Sequence, residues 1–136
     1  SRQKLLDKFK IIPRCVLLAT QGFWEGIDVK GTDLRCVVID KLPFTNPSDP
    51  LHVAQMRLAA AKGENGFSSV SIPDAAISLK QGFGRLIRQE SDKGLFVLGD
   101  NRVLTKSYGG EFLKSLPDMP WLGSQQEAIT YMESLD

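Results

Sequence analysis

Three short, unbroken apolar runs constrain the fold more than anything else in the chain. Cys15-Val16-Leu17-Leu18-Ala19, Leu34 to Ile39 and Leu95 to Leu98 lack the apolar–polar alternation of a half-exposed strand. Each has the length and composition of a strand covered on both faces, the kind that belongs to a parallel sheet. Parallel neighbours need crossovers of a dozen or more residues. The polar, glycine-rich interval from Thr20 to Asp33 is just long enough for one. Two predicted helices fill the longer gap between the second and third runs. In the first, Asp49 caps and Pro50 opens a helix to about Lys62, with Leu51, Ala54 and Leu58 on its apolar face. The second runs from about Asp74 to Arg88, opened by Pro73-Asp74. The expected fold is therefore α/β, a parallel sheet flanked by helices.

The remaining segments fit around that plan. Leu5, Leu6 and Phe9 give a short helical pattern ended by Ile11-Ile12-Pro13. Tyr108 to Leu116 reads as another short helix, broken off by Pro117 and Pro120. Ser124-Gln125-Gln126-Glu127 is a capping box, opening a last helix with Ile129 and Met132 on one face. At 136 residues the chain is one domain's worth, able to bury roughly two-thirds of its unfolded surface. We divide it into a main body, residues 1–120, and a C-terminal helix, 121–136, packed on that body or extending from it. The chain opens without an initiator Met and without an obvious first strand, so a piece of a longer protein is expected.

Composition narrows the function. With 42% apolar residues, 24% charged and a net charge of +1, the chain has no strong nonspecific attraction to nucleic acid, and DNA binding has to come from a local patch. No apolar stretch reaches membrane-spanning length and no signal peptide opens the chain, so a cytoplasmic protein is expected. Cys15 and Cys36 lack metal-ligand spacing and read as small buried thiols. His52, the one histidine, reads as an exposed helix residue. Gly63-Glu64-Asn65-Gly66 is a loop that lacks the Gly-Lys-Ser/Thr ending of a phosphate loop.

Open parallel sheets bind ligands beyond the carboxyl ends of their strands. The first such end leads into Thr20 to Asp28, where Gly22, Gly26 and the later Gly31 permit positive φ and close backbone approach. In this loop Asp28 can accept hydrogen bonds from ribose hydroxyls, and Glu25 can orient an arginine; a glycine-rich turn whose acids cap local backbone is the other reading. Phe23 and Trp24 either stack on bases or pack beneath their own loop. The second strand end leads into Asp40 to Pro47, where Lys41 and Phe44 can meet single-stranded DNA by charge and stacking, unless the prolines simply clamp the loop. Asp100 and Arg102, at the third, are expected to hold each other or a helix end.

The predicted helix ending near Arg88 carries the most specific pattern, Gln81-Gly82-Phe83-Gly84-Arg85-Leu86-Ile87-Arg88. With Gln81 at zero, Gly84 projects at about −60°, Arg85 at about +40° and Arg88 at about −20°, while Leu79, Phe83, Leu86 and Ile87 gather on the opposite side. Two guanidiniums beside a bare backbone suit a phosphate, because the guanidinium is always charged and presents a rigid fork of donors. Gly84 gives up roughly 1 kcal/mol of helix propensity relative to Ala, which close approach of a ligand would explain. A solvated basic face is the plainer alternative.

This Gln-x-x-Gly-Arg-x-x-Arg pattern resembles motif VI of superfamily 2 helicases. Phe23-Trp24-Glu25-Gly26-Ile27-Asp28, followed by Lys30-Gly31, resembles motif V of the branch containing DinG and XPD. Val37 to Phe44, Asp49-Pro50 and Asp100-Asn101-Arg102 fit the same branch, and within it the YoaA-type, DinG-like helicases. The resemblance covers roughly Arg2 to Leu122. It implies a partial RecA-like second motor domain of an ATP-dependent, 5′-to-3′ DNA helicase of repair or replication.

The resemblance also implies roles. Arg85 and Arg88, with Gln81, would act on the γ-phosphate across a cleft; Asp28, Glu25, Gly26 and Gly84 would lie on the nucleotide side. Thr20, Trp24, Lys41 and Phe44 would line the DNA track. It further implies ATP with Mg2+, a 4Fe-4S cluster whose ligands are not in this chain, and single-stranded DNA as partner. The N-terminal helicase half of the same protein would be a second partner, and the χ subunit of DNA polymerase III a third. Lacking a Walker A lysine and an Asp-Glu-x-His box, the chain is not expected to hydrolyse ATP alone.

Overall fold

The computed structural model describes residues 1–24, 26–29 and 33–136. Seven α-helices, one π-helical turn and two strands are assigned among them, in the order α1 (Arg2–Ile11), α2 (Gln21–Trp24), β1 (Cys36–Ile39), α3 (Pro50–Ala61), the π turn (Phe67–Ser71), α4 (Ile72–Leu86), β2 (Leu95–Leu98), α5 (Arg102–Thr105), α6 (Gly109–Ser115) and α7 (Gln125–Ser134). The strands pair in one two-stranded sheet. Leu95 donates to the Arg35 carbonyl at 2.9 Å and Gly99 to that of Ile39 at 2.8 Å. Register advances by four residues on both strands in the same direction, so the pair is parallel, as the apolar runs predict.

Two compact units divide the chain. The first comprises Ser1–Val37, Gly84–Phe96 and Leu122–Asp136; the second comprises Val38–Phe83 and Val97–Trp121. In the first, Leu6 of α1 is buried with Ile27 and Val29, and Phe9, Leu17, Phe23, Trp24 and Leu34 pack on that cluster. Ser124 caps α7 by accepting from the Glu127 amide at 3.2 Å, while the Glu127 carboxylate takes the Gly123 amide. The far end of α7 is tied down by Arg35, which reaches the Leu135 carbonyl and, at 2.8 Å, Asp136.

In the second unit Phe112 and Leu79 are the largest fully buried side chains. The Asp49 carboxylate caps α3 through the His52 amide at 3.0 Å, with Pro50 at the first turn, as expected. Phe44, Phe67, Tyr108 and Phe112 form an aromatic nest, with Phe44 and Phe67 stacked at 5.6 Å and Phe112 edge-on to Phe44 at 5.7 Å.

Several expectations are corrected. Cys15 to Ala19 has no assigned strand and pairs with none among the described residues. Its alternate residues differ: Leu17 packs on the Leu6 cluster, whereas Val16 and Leu18 are exposed. The second run narrows to Cys36–Ile39. The apolar face predicted for α3 is its outer face, since Leu51, Ala54 and Leu58 are exposed. The inward side carries His52, half-buried Met56 and Ala59, about 100° round the helix, because α3 packs there on the π turn. His52 is consequently buried, its Nε2 3.4 Å from the Ser71 hydroxyl. Gly66 permits the approach, for a β-carbon there would lie 2.8 Å from the Met56 sulfur.

The helix of the arginine pattern starts and stops earlier than predicted. Pro73 does not open it. The Ile72 amide reaches back five residues to the Phe67 carbonyl, and this π turn runs straight into α4, so Pro73, which has no N–H to give, falls in the first turn of α4 rather than before it. At the other end α4 stops at Leu86. Arg88 therefore lies beyond the helix, where Asp92 accepts from its amide at 2.9 Å and from that of Gln89 at 3.0 Å. The helical projection holds for Leu79, Phe83 and Leu86, all buried, and for exposed Gln81 and Gly84.

Candidate functional site

The loop after α2 is built from beneath. Trp24, half-buried, packs on the Leu6–Ile27–Val29 cluster, and the Ile27 amide turns back to the Trp24 carbonyl at 3.2 Å. Gly26 makes this turn possible with φ +75°, a region open to glycine at no steric cost. Phe23 packs on the same cluster, with the Arg2 guanidinium 5.1 Å from its ring centre and a bond from Arg2 to its carbonyl. Both aromatics thus take the packing alternative. Ile27 and Val29 are anchored inward, and the loop's polar groups are left to face the arginines.

Those arginines meet the loop directly. Arg85 Nη1 donates to the Ile27 carbonyl at 2.8 Å, and Arg88 Nη1 pairs with Asp28 Oδ1. Glu25, the residue expected to orient an arginine, lies outside the described residues, as do Lys30 and Gly31. Among the described residues Asp28 holds Arg88. Its side chain is 67% exposed and that of Arg88 27%, so the pair is worth no more than about 1 kcal/mol and opens readily. Gly84 is exposed, and a β-carbon built there meets nothing within 4 Å. The helix backbone beside Arg85 is accessible.

The other expected residues are distributed differently. Thr20 is exposed, its carbonyl taken by the Phe23 amide at 2.9 Å. Gln81 is exposed on α4 and belongs to the second unit, as do Lys41 and Phe44. Lys41 is exposed, whereas Phe44 is half-buried in the aromatic nest, with the Arg102 guanidinium 5.4 Å from its ring centre. The first unit brings together Gly26, Asp28, Arg85 and Arg88. Asp92, whose carboxylate takes the Arg88 and Gln89 amides just past α4, was missed. The Ile27 carbonyl has no side-chain signature at all.

Asp100 and Arg102 hold each other, as expected, and more. Their ion pair measures 2.6 Å and Arg102 Nε reaches both carboxylate oxygens at 3.0 and 3.1 Å. The bond from Arg102 chiefly holds the Asp100 carboxyl well below the usual carboxylate range, against burial, and the Leu42 and Arg102 amides add to it. The same bond raises the Arg102 guanidinium. Burial pushes the Cys36 thiol up. Among the described residues no three His, Cys, Asp or Glu side chains converge as metal ligands, and no helix is long and apolar enough to cross a membrane.

A small parallel sheet, with a Gln-x-x-Gly-Arg-x-x-Arg segment whose two arginines bond the loop at Ile27 and Asp28, fits a RecA-like helicase module, and the chain belongs to the helicase C-terminal domain family, which it matches over residues 1–119. It is 46% identical over 132 residues to the ATP-dependent DNA helicase YoaA of Escherichia coli K12, a match covering 97% of this chain and 21% of that protein. To the protein named 3′-5′ exonuclease DinG in Bacillus subtilis 168 it is 46% identical over 114 residues, 84% of this chain and 12% of that one. The ATP-dependent helicase DinG of Mycobacterium tuberculosis H37Ra is 44% identical over 118 residues, 86% of this chain and 18% of that protein. The chain thus spans about a fifth or less of the relatives it matches.

Proposed function

We propose that this chain is the second motor domain of an ATP-dependent, 5′-to-3′ DNA helicase of bacterial replication or repair, acting in the cytoplasm. One observation carries the reading: Arg85 and Arg88 are both bonded to the loop at Ile27 and Asp28. Phosphate sensing and the loop are thereby mechanically one piece. With ATP held by the N-terminal half of the same protein, Arg85 and Arg88 stabilise the charge developing on the γ-phosphate, a role worth about 10³ to 10⁵ in rate. Gln81 senses the same phosphate. Gly26 and Gly84 let backbone approach the nucleotide, Asp28 releases Arg88 to it, and Glu25 orients the arginines.

Single-stranded DNA is contacted by Thr20 and Trp24 in the first unit and by Lys41 and Phe44 in the second. Lys41 supplies charge and Thr20 an exposed hydroxyl; Trp24 and Phe44 serve through the loops they anchor. Mg2+ and a 4Fe-4S cluster are assigned to the other part of the protein. The exonuclease name of the Bacillus relative belongs to a protein of which this chain covers 12%.

Arg88→Ala in the intact helicase tests the reading. DNA-stimulated ATP turnover falls by 10³ or more, with single-stranded DNA affinity at fixed salt nearly intact. Unchanged turnover would make the arginines a solvated face and remove the motor assignment.

A second reading has an observation of its own. Trp121 is 69% exposed, and an accessible Trp is a common interface anchor. The segment after Leu116 then docks the helicase to a replication partner such as the polymerase III χ subunit. Trp121→Ala abolishes that binding and spares ATP turnover; retained binding removes this reading.

A further inference from the structure

We propose that Asp100 and Arg102 are positioning residues for DNA binding, fixing the loop that leaves β1 so that Lys41 is held in one orientation toward a single-stranded DNA backbone. The inference rests on the DNA-track reading of Lys41 and adds to it the residues that make that track rigid.

The two strands end side by side. The Gly99 amide bonds the Ile39 carbonyl at 2.8 Å, and a β-carbon at Gly99 would sit 3.3 Å from the Asp40 Cα and carbonyl oxygen. Glycine lets the two exits run in close contact. One residue on, the buried Asp100 carboxylate accepts from the Leu42 amide at 2.8 Å, across 58 residues of sequence. Arg102 completes the grip: it neutralises Asp100 through Nη2 at 2.6 Å and lays its guanidinium over the Phe44 ring. The loop is held at 42 by a charge-assisted hydrogen bond and at 44 by a flat cation, on either side of buried Pro43. Lys41 is the exposed residue immediately before the held segment.

A buried carboxylate is a poor device for stability alone, since an apolar pair of similar volume often serves as well or better. It is a good device for one defined conformation, because every acceptor position on Asp100 is directed at a particular donor. A long lysine loses less rotamer and backbone freedom on meeting a phosphate when its loop is already fixed.

The test uses the intact helicase carrying Arg102→Lys, Lys41→Ala and both. Arg102→Lys keeps the charge but loses the fork and the flat face. Oligo(dT) affinity is measured against salt concentration, and hydrogen exchange is followed over residues 40–46 and, as control, 50–61. Expected for Arg102→Lys is a several-fold weaker affinity with a salt slope lower by about 0.7, one phosphate contact, matching Lys41→Ala. The double variant is no weaker than Lys41→Ala, and exchange quickens over 40–46 while 50–61 is unchanged.

Wild-type affinity and slope in Arg102→Lys, or losses that multiply in the double variant, would overturn the proposal. So would equal quickening over both segments, the mark of a merely structural role. Should Arg102→Lys fail to fold, Asp100→Asn retains an acceptor for the Leu42 amide and is held to the same outcomes. A wild-type Lys41→Ala would overturn the proposal through its DNA contact and leave the motor reading standing, because that reading is decided separately by Arg88→Ala.

Discussion

Gly84→Ala separates what a residue does for its helix from what it does for a ligand. Gly84 lies two residues before the end of α4, exposed, with nothing within 4 Å of where a β-carbon would stand. A methyl group therefore clashes with no part of the described chain, and the helix gains. In mid-helix the gain is about 1 kcal/mol; in a last turn that frays, roughly half of that is realised, or about 0.5 kcal/mol. Local opening then becomes about twofold rarer, which peptide-level hydrogen exchange over residues 78–88 reads directly. Turnover moves the other way. If a nucleotide approaches the bare backbone beside Arg85, the methyl displaces it by about 1 Å, enough to cost on the order of 10²-fold in rate. The expected result in the intact helicase is a more protected helix and a crippled ATPase. Slower exchange with wild-type turnover would refute the reasoning, leaving the glycine without a ligand to serve.

Gly109→Ala should be the most damaging single methyl. A β-carbon there falls 2.0 Å from the Val103 carbonyl oxygen, against backbone rather than a yielding side chain, so a loss of about 3 kcal/mol or more is expected by urea denaturation. Gly110→Ala, with nothing within 4 Å, is the control. Acid should weaken the domain through Asp100. A carboxyl held below its ordinary value of 3.8 contributes stability that is full above that pH and lost as pH falls toward the folded value. Urea midpoints at pH 5 and pH 3 should therefore fall more steeply for wild type than for Asp100→Asn. The 136-residue chain by itself should hydrolyse ATP at background rate; turnover well above it in a phosphate-release assay would sink the half-motor reading.

The sequence was most legible where one local rule decides the outcome. Leu95–Leu98 is the strand expected, and Asp49-Pro50 and Ser124 start their helices because a capping oxygen needs only the next turn to act on. It was less legible where tertiary packing chooses. Periodicity put the inward face of α3 at Leu51, Ala54 and Leu58, and that face lost because the π turn offered Met56 and His52 a place against Ser71 and Gly66. The run at Cys15–Ala19 has the composition of a buried strand, yet composition does not supply a neighbour to pair with. At the site, Arg85, Arg88 and Asp28 were readable as charged groups in a motif. That Arg85 would bind the backbone at Ile27 was not, since every residue has a carbonyl and only the fold selects one. The helix was extended two residues too far, so Arg88 was read as a helix position, whereas it lies beyond α4 and pairs with Asp28 from there.

The two arginine–aspartate pairs are chemically alike and fitted for opposite tasks, and solvent makes the difference. Asp28 is two-thirds exposed and Asp100 has 6% of its side chain exposed. Near water the attraction between Arg88 and Asp28 is small, and a phosphate bearing more charge and more acceptor oxygens competes for the guanidinium at little cost. Away from water, parting Arg102 from Asp100 strands a carboxylate that also holds the Leu42 amide, a penalty of roughly 1–3 kcal/mol or more that no passing anion relieves. Under the proposed function, the exchangeable pair suits a place where a nucleotide is sensed in one step of a cycle and released in the next, and the permanent one suits a surface that keeps its shape while DNA moves past it.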